Sequence, residues 1–201
     1  EAISSFLDHL GGEDRFGLIG FADRQVTWIT DFTSDAALFR RRLDVQEGYG
    51  RTALYDALAA SPGLVEEGIQ ARKAIVLFTD GLDNASTMPP LQAVQVARRV
   101  SVPIYAVSFI HAPVDMLSDE SRNSLMVLER FCRETGGRLF TIRNPDGLRA
   151  AAASIQEDLR LQYVIGFQPG PQESGVPFRR IRLETVRPRL RVRCRAGYYG
   201  G

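Results

Sequence analysis

The sequence predicts an α/β protein: a doubly wound, mostly parallel sheet over residues 1–161, followed by an antiparallel β extension over residues 162–201. Three observations predict it. Lys73-Ala74-Ile75-Val76-Leu77-Phe78-Thr79 and Ile104-Tyr105-Ala106-Val107-Ser108-Phe109 are short runs, apolar on both alternating faces, as strands covered on both sides must be. Segments of helical spacing alternate with them, and that order implies parallel strands with helices on either face. Beyond Leu161 the period changes to two, and segments near 162–168, 178–186 and 190–196 are separated by Pro169-Gly170-Pro171 and Arg187-Pro188.

Each element has its local reason. Ile3, Phe6, Leu7 and Leu10 lie at helical spacing in the opening segment. Gly48-Tyr49-Gly50-Arg51-Thr52 is a flexible approach to the helix-favouring run that begins Ala53-Leu54-Tyr55-Asp56, and Thr52 reads as an N-cap or loop residue. Asp83-Asn84-Ala85-Ser86 reads as loop. Pro89-Pro90 starts a helix with Leu91, Val94, Ala97 and Val100 on one stripe. Pro103 opens the next strand, where its missing amide is tolerated. A helix around 123–135 stops at Gly136-Gly137. Asp119-Glu120-Ser121-Arg122-Asn123 before it reads as an ordinary loop. Asp146 caps a last long helix with Leu148, Ala152, Ile155 and Leu159 facing inward.

Composition narrows the classes. A chain of 201 residues with 44% hydrophobic content has material for one large α/β domain and a small extension. No apolar stretch is long enough to span a membrane as a helix. Cys132 and Cys194 fit no metal spacing; both read as small buried hydrophobes, with a disulfide between them as the alternative. The net charge is only +1, yet nine arginines face two glutamates between Arg160 and Arg195. Arg189, Arg191, Arg193 and Arg195 alternate with Leu190, Val192 and Cys194, so a strand would place all four guanidinium groups on one face. That face is either a solvated guard against edge aggregation or a docking surface for anionic partners such as cell-wall polymer, lipid headgroups or an acidic protein. Nucleic acid is disfavoured, because no aromatic residues are interleaved as stacking platforms.

The chemistry concentrates at one place. Asp80 follows the strand ending at Thr79, and in open α/β sheets ligands bind in the crevice beyond the carboxyl ends of the strands. The bland alternative is that Asp80 caps the turn, with Gly81 supplying unusual dihedrals. A phosphoacceptor role for Asp80 would call for a lysine near the phosphoryl group. Lys73, the only lysine, enters the strand at its opposite end. His9 and His111 are the only histidines, and no nucleophile elbow, phosphate-binding loop or zinc constellation is present.

Gly50-Arg51-Thr52-Ala53-Leu54-Tyr55-Asp56-Ala57 and Ile75-Val76-Leu77-Phe78-Thr79-Asp80-Gly81, in that order, resemble the von Willebrand factor type A family. Asp14 to Phe21 is similar to its second strand, Val26 to Thr30 to the edge strand beside it, and Glu134 to Phe140 to its last helix-to-strand junction. The ending, Gln162 to Phe167 and Arg195 to Tyr199, is similar to a bacterial subgroup with a C-terminal β extension. The resemblance implies a Rossmann-like fold and a non-enzymatic protein-binding or adhesion module of secreted, periplasmic or cell-surface placement. It also implies a divalent cation, usually Mg2+, held by an Asp-x-Ser-x-Ser after the first strand, a threonine and an aspartate, with an acidic residue of a protein partner completing the shell. Thr52 and Asp80 stand at the second and third of these positions; Tyr49, Arg51, Asp83, Asn84 and Ser86 would form the partner-binding rim.

The Asp-x-Ser-x-Ser and the first central strand have no counterpart here, since the opening helix resembles the one that follows that strand. Magnesium takes about six oxygen ligands, so this chain alone is expected to bind it weakly or not at all. The sheet is expected to be interrupted between the strands at 15–22 and 73–79. Losing about three to five buried apolar side chains at roughly 1.5–3 kcal/mol each rivals a whole domain's stability of about 5–15 kcal/mol. The chain therefore reads as part of a longer protein, unless the gap closes by direct pairing or another chain fills it. The alternative function is a metal-independent scaffold that binds through the arginine-rich extension.

Overall fold

The computed structural model describes residues 2–8, 13–23, 25–48, 50–66, 72–168, 170, 178–186, 190 and 192–199. His9, Leu10, Tyr49, Arg189 and Arg191 lie outside the described residues. In chain order the elements are α1 (Ala2–Leu7), β1 (Phe16–Ala22), β2 (Gln25–Thr33), α2 (Ala36–Asp44), α3 (Leu54–Glu66), β3 (Ile75–Thr79), α4 (Pro90–Ala97), β4 (Ile104–Phe109), α5 (Asp119–Thr135), β5 (Leu139–Ile142), α6 (Pro145–Arg160), β6 (Phe178–Arg180) and β7 (Gly197–Tyr199).

The strands β3, β4 and β5 form a parallel sheet with β4 in the middle, in register from Ile75 opposite Ile104 and from Ala106 opposite Leu139. The central strand explains the double winding. Ile104 and Ala106 face a core built with Leu54, Leu58 and Leu77, Ala93 and Ala97, and Leu128, Phe131 and Cys132. Tyr105 and Val107 face the opposite core, with Phe6, Ile142, Leu148, Ala152 and Ile155. A strand whose successive side chains point to opposite faces needs apolar residues at every position when helices cover both.

The antiparallel pair β1–β2 forms a separate sheet, packed through Leu18 against Leu7 and Phe39. No backbone ladder joins β1 to β3 among the described residues, so the sheet is split where the sequence places the interruption.

Helix ends follow local chemistry. Asp35 caps α2 by accepting from Leu38 N at 2.9 Å, and Ser118 caps α5 by accepting from Ser121 N at 3.2 Å. Gly136 closes α5 in the left-handed region with φ of 89°, as the Gly-Gly stop predicts. Cys132 lies buried beside Leu125, Leu128 and Thr135 on the inner face of α5, as its spacing indicates.

Several local expectations need correction. Asp119 to Asn123 is the first turn of α5 and not a loop, because Ser118 supplies the cap and two acidic residues follow it at the positive end of the helix. The cap of α6 is Asn144, whose Oδ1 accepts from Gly147 N at 2.8 Å; Asp146 sits inside the first turn. On α4 the buried stripe is Ala93, Val94 and Ala97, while Leu91 is 71% exposed, since the inward direction is set by the contact with α5. Both cysteines are free thiols, and Cys194 is half-buried outside any strand.

The extension is less regular than its alternation suggests. Among the described residues only Phe178–Arg180 and Gly197–Tyr199 pair, antiparallel, with Phe178 opposite Tyr199. The segment 162–168 is not a strand, and Tyr163, Val164, Ile165 and Phe167 are exposed. Period-two patterning does not by itself supply the neighbour that a ladder requires. The described arginines are not a free solvated row: Arg193 pairs with Asp158 of α6, and Arg195 donates to the Arg98 carbonyl at 3.2 Å.

Candidate functional site

The candidate site lies where β3 ends. Apolar pairing to β4 stops at Thr79, and the chain turns at Asp80 and Gly81. Gly81 has φ of +85°, and a Cβ there would meet Ser108 Oγ at 2.9 Å and Leu125 Cδ2 at 3.2 Å, so the turn requires glycine. The Thr79 hydroxyl accepts from Gly81 N at 3.0 Å, and Asp80 Oδ1 accepts from Leu82 N at 3.1 Å. Asp80 is exposed, with one oxygen engaged in this Asx turn. The turn-capping reading of Asp80 is the one this bond bears out.

The loop that follows is fastened to the approach to α3. Thr52 N donates to Asn84 Oδ1 at 2.8 Å, and Thr52 O accepts from Asn84 N at 3.0 Å and Ala85 N at 3.1 Å. The Arg51 guanidinium donates to the Asn84 carbonyl. These bonds hold the Thr52 backbone against the loop that follows the Asp80 turn, 32 residues along the chain.

Thr52 is a loop residue and not the cap of α3. Capping is supplied from the other loop: Tyr55 N donates to Asp83 Oδ2 at 3.0 Å and to Ser86 Oγ at 3.0 Å, and Asp56 N donates to Ser86 Oγ at 3.2 Å. Asp83 in turn accepts from Ser86 N at 3.2 Å and from the Ser86 hydroxyl. The amino end of a helix has unsatisfied N–H groups and partial positive charge, and a carboxylate with a hydroxyl answers both.

Two further residues, which sequence reasoning missed, complete the fastening. Asp56 Oδ2 accepts from Thr87 N at 2.9 Å and Thr87 Oγ1 at 3.0 Å, and Asp56 Oδ1 accepts from Met88 N at 3.0 Å. Asp23, in the β1–β2 turn with φ of 52°, accepts from Arg51 N at 2.8 Å and donates its own N–H to Arg51 O at 2.6 Å. The only sequence signal for either was an aspartate in a first helical turn or a tight turn, which ordinarily indicates local capping.

Asp83 and Ser86 also line an open groove of about 600 Å3, together with Tyr55, Pro89, Glu120 and Ser124. Burial raises the Tyr55 pKa, opposed by its hydrogen bond to Ser124 and reinforced by Asp83.

Residues 1–82 match the von Willebrand factor type A domain. That match spans 82 of the 201 residues, and the likeness to solved structures is one of fold. The fold resembles that of BatB from Bacteroides thetaiotaomicron, described as a conserved hypothetical protein, with TM-score 0.59 and 16% identity over 80% of this chain and 86% of that one. An aerotolerance-related membrane protein from Bacteroides fragilis matches with TM-score 0.59 and 19% identity over the same shares, 80% and 86%. The SpRpn10 VWA domain matches with TM-score 0.55 and 15% identity, over 82% of this chain and 84% of that one. No curated protein sequence matches the chain significantly.

The resemblance to the von Willebrand factor type A family implies a divalent cation such as Mg2+. Thr52 contributes one hydroxyl and Asp80 one exposed carboxylate, whereas the Asp83 carboxylate is engaged with Tyr55 N and Ser86. Among the described residues no group of three or more His, Cys, Asp or Glu side chains is placed to hold a metal. A hydroxyl and a carboxylate fall short of the roughly six oxygens of an octahedral shell. These residues do not by themselves fit a resident Mg2+.

Proposed function

We propose that this chain is a non-enzymatic protein-binding module whose recognition surface is the carboxyl end of the parallel sheet, centred on Thr52 and Asp80. The observation that supports the reading is the fastening of the Thr52 backbone, through Asn84 and Ala85, to the loop that follows Asp80. Rigid presentation lowers the ordering cost of capture, which favours recognition. Metal dependence belongs, in this reading, to a form in which further oxygen donors join these two, followed by an acidic residue from the protein partner. Arg51 and Asn84 shape the rim, while Asp83 and Ser86 act behind it by holding the helix end.

The test is Mn2+ binding followed by electron paramagnetic resonance, with Mn2+ standing in for Mg2+. The chain is compared with a fusion that adds an apolar strand ending in Asp-x-Ser-x-Ser before Glu1. The fusion is expected to bind Mn2+ at least about tenfold more tightly, and Asp80→Ala within it to remove the gain. Equal affinity in the chain and the fusion, or a gain indifferent to Asp80→Ala, refutes the proposed site.

Residues 162–201 form, in this proposal, an extension docked onto the 1–161 body. Likeness to an aerotolerance-related membrane protein supports placement outside the cytoplasm. Among the described residues no helix is long and apolar enough to cross a membrane. Digestion by protease added to intact cells tests the placement; complete protection would argue against it.

A further inference from the structure

A second depression lies at the pole opposite Asp80. Because β3 and β4 are parallel, α4 must return the chain from the carboxyl end of one to the amino end of the other, so Arg98 and Arg99 after α4 stand at the amino end. The extension docks there: Ala196 N donates to Glu134 O at 3.1 Å, and Ile181 N to Ala196 O at 3.0 Å. Between them Arg99, Arg195, Tyr198 and Tyr199 line an open depression of about 450 Å3.

Its charges are unequally matched. Arg98 is neutralised by Glu134, with Nε to Oε2 at 3.0 Å, and its guanidinium lies 4.9 Å from the Phe178 ring centre. Arg99 lies 5.1 Å from the Tyr199 ring centre, and no carboxylate pairs with Arg99 or Arg195 among the described residues. Arg195 directs Nε to the Gly197 carbonyl at 2.7 Å and one terminal nitrogen to the Arg98 carbonyl at 3.2 Å. These bonds fix its plane and account for two of the five N–H donors that a guanidinium carries. Burial lowers the Arg195 pKa, consistent with a cation held away from water without an anion to compensate.

We propose that this depression binds a phosphate group. Two guanidinium groups balance a dianion, and their planar donor forks suit phosphate oxygens better than a single ammonium would. Tyr198 and Tyr199 complete the wall. The phosphate is either free or part of a lipid headgroup; the ring of Phe167, from the exposed apolar segment 163–167, stands 5.5 Å from that of Tyr198 and would meet the acyl region in the second case.

The experiment uses the 201-residue chain in two arms. Inorganic phosphate is titrated and followed by 31P line broadening, and co-sedimentation is measured with phosphatidylglycerol/phosphatidylcholine vesicles against pure phosphatidylcholine. Arg99 is exposed just after α4, so Arg99→Ala gives up its contact with the Tyr199 ring but leaves the core intact, which an unchanged unfolding transition checks. It is expected to weaken binding by about tenfold or more, as loss of a charge-assisted contact does, whereas Arg149→Ala at the other pole leaves it unchanged. Saturable broadening sensitive to Arg99→Ala supports the site with free phosphate as ligand. Sedimentation only with the anionic vesicles, lost in Arg99→Ala, supports it with the headgroup as ligand. Absence of binding in both arms, or binding that Arg99→Ala does not weaken, overturns the proposal.

Discussion

Replacing Asp83 by Ala separates its two assigned roles, rim and cap. The structure gives its carboxylate three bonds: from Tyr55 N at 3.0 Å, from Ser86 N at 3.2 Å and from the Ser86 hydroxyl. The Ser86 hydroxyl still reaches Tyr55 N and Asp56 N in the variant, so the helix end is not left wholly uncapped. A lost cap typically costs about 1 kcal/mol, and each lost bond to a charged acceptor about 1.5–3 kcal/mol before compensation. Allowing for the bonds that Ser86 retains, Asp83→Ala should destabilise the fold by about 2 kcal/mol. Asp80→Ala loses one bond of an exposed turn, to Leu82 N at 3.1 Å, and should cost under about 1 kcal/mol. Urea unfolding followed by circular dichroism and by the fluorescence of the single tryptophan, Trp28, measures both. A cost below about 0.5 kcal/mol for Asp83→Ala, or a larger cost for Asp80→Ala, would falsify the assignment of Asp83 as the cap of α3.

Two further outcomes follow from the core. A Cβ at Gly137 would lie 2.0 Å from Ile104 O and 2.5 Å from Ile104 C, both main-chain atoms of the central strand, so Gly137→Ala should cost about 3 kcal/mol or more in urea unfolding; an unchanged midpoint would show that α5 does not approach β4 so closely. Burial pushes Tyr105 and Cys132 up to about 12 from ordinary values of 10.0 and 9.0. The unfolded chain therefore loses these protons first as pH rises, and stability present below pH 9.0 declines through about 12. Tyr105→Phe should flatten this alkaline decline in the urea midpoint, and an equally steep decline in the variant would contradict the burial of its hydroxyl.

Much of the fold was legible because the central strand repeats its information. Ile104 to Val107 is apolar at every position, which only a strand between two helical layers requires, and both cores meet there. The Gly-Gly stop of α5 and the inner stripe of Leu125, Leu128 and Cys132 were equally readable, since each depends on neighbours within one or two helical turns. Asp80 was found for the same reason: an apolar run ending in a carboxylate places it at the end of a strand.

What the sequence determined by itself is the alternation of strand and helix, and the position of Asp80 directly after the carboxyl end of β3. The tertiary structure alone decided that Asp83 and Ser86 cap a helix about 30 residues earlier in the chain, that Asp56 and Asp23 lock the same loops, and that Arg193 and Arg195 turn inward onto the body. The physical reason is range. Periodicity and turn chemistry act between residues a few positions apart, whereas a hydrogen bond across the fold depends on which donor the packing leaves unsatisfied, and no local pattern encodes that.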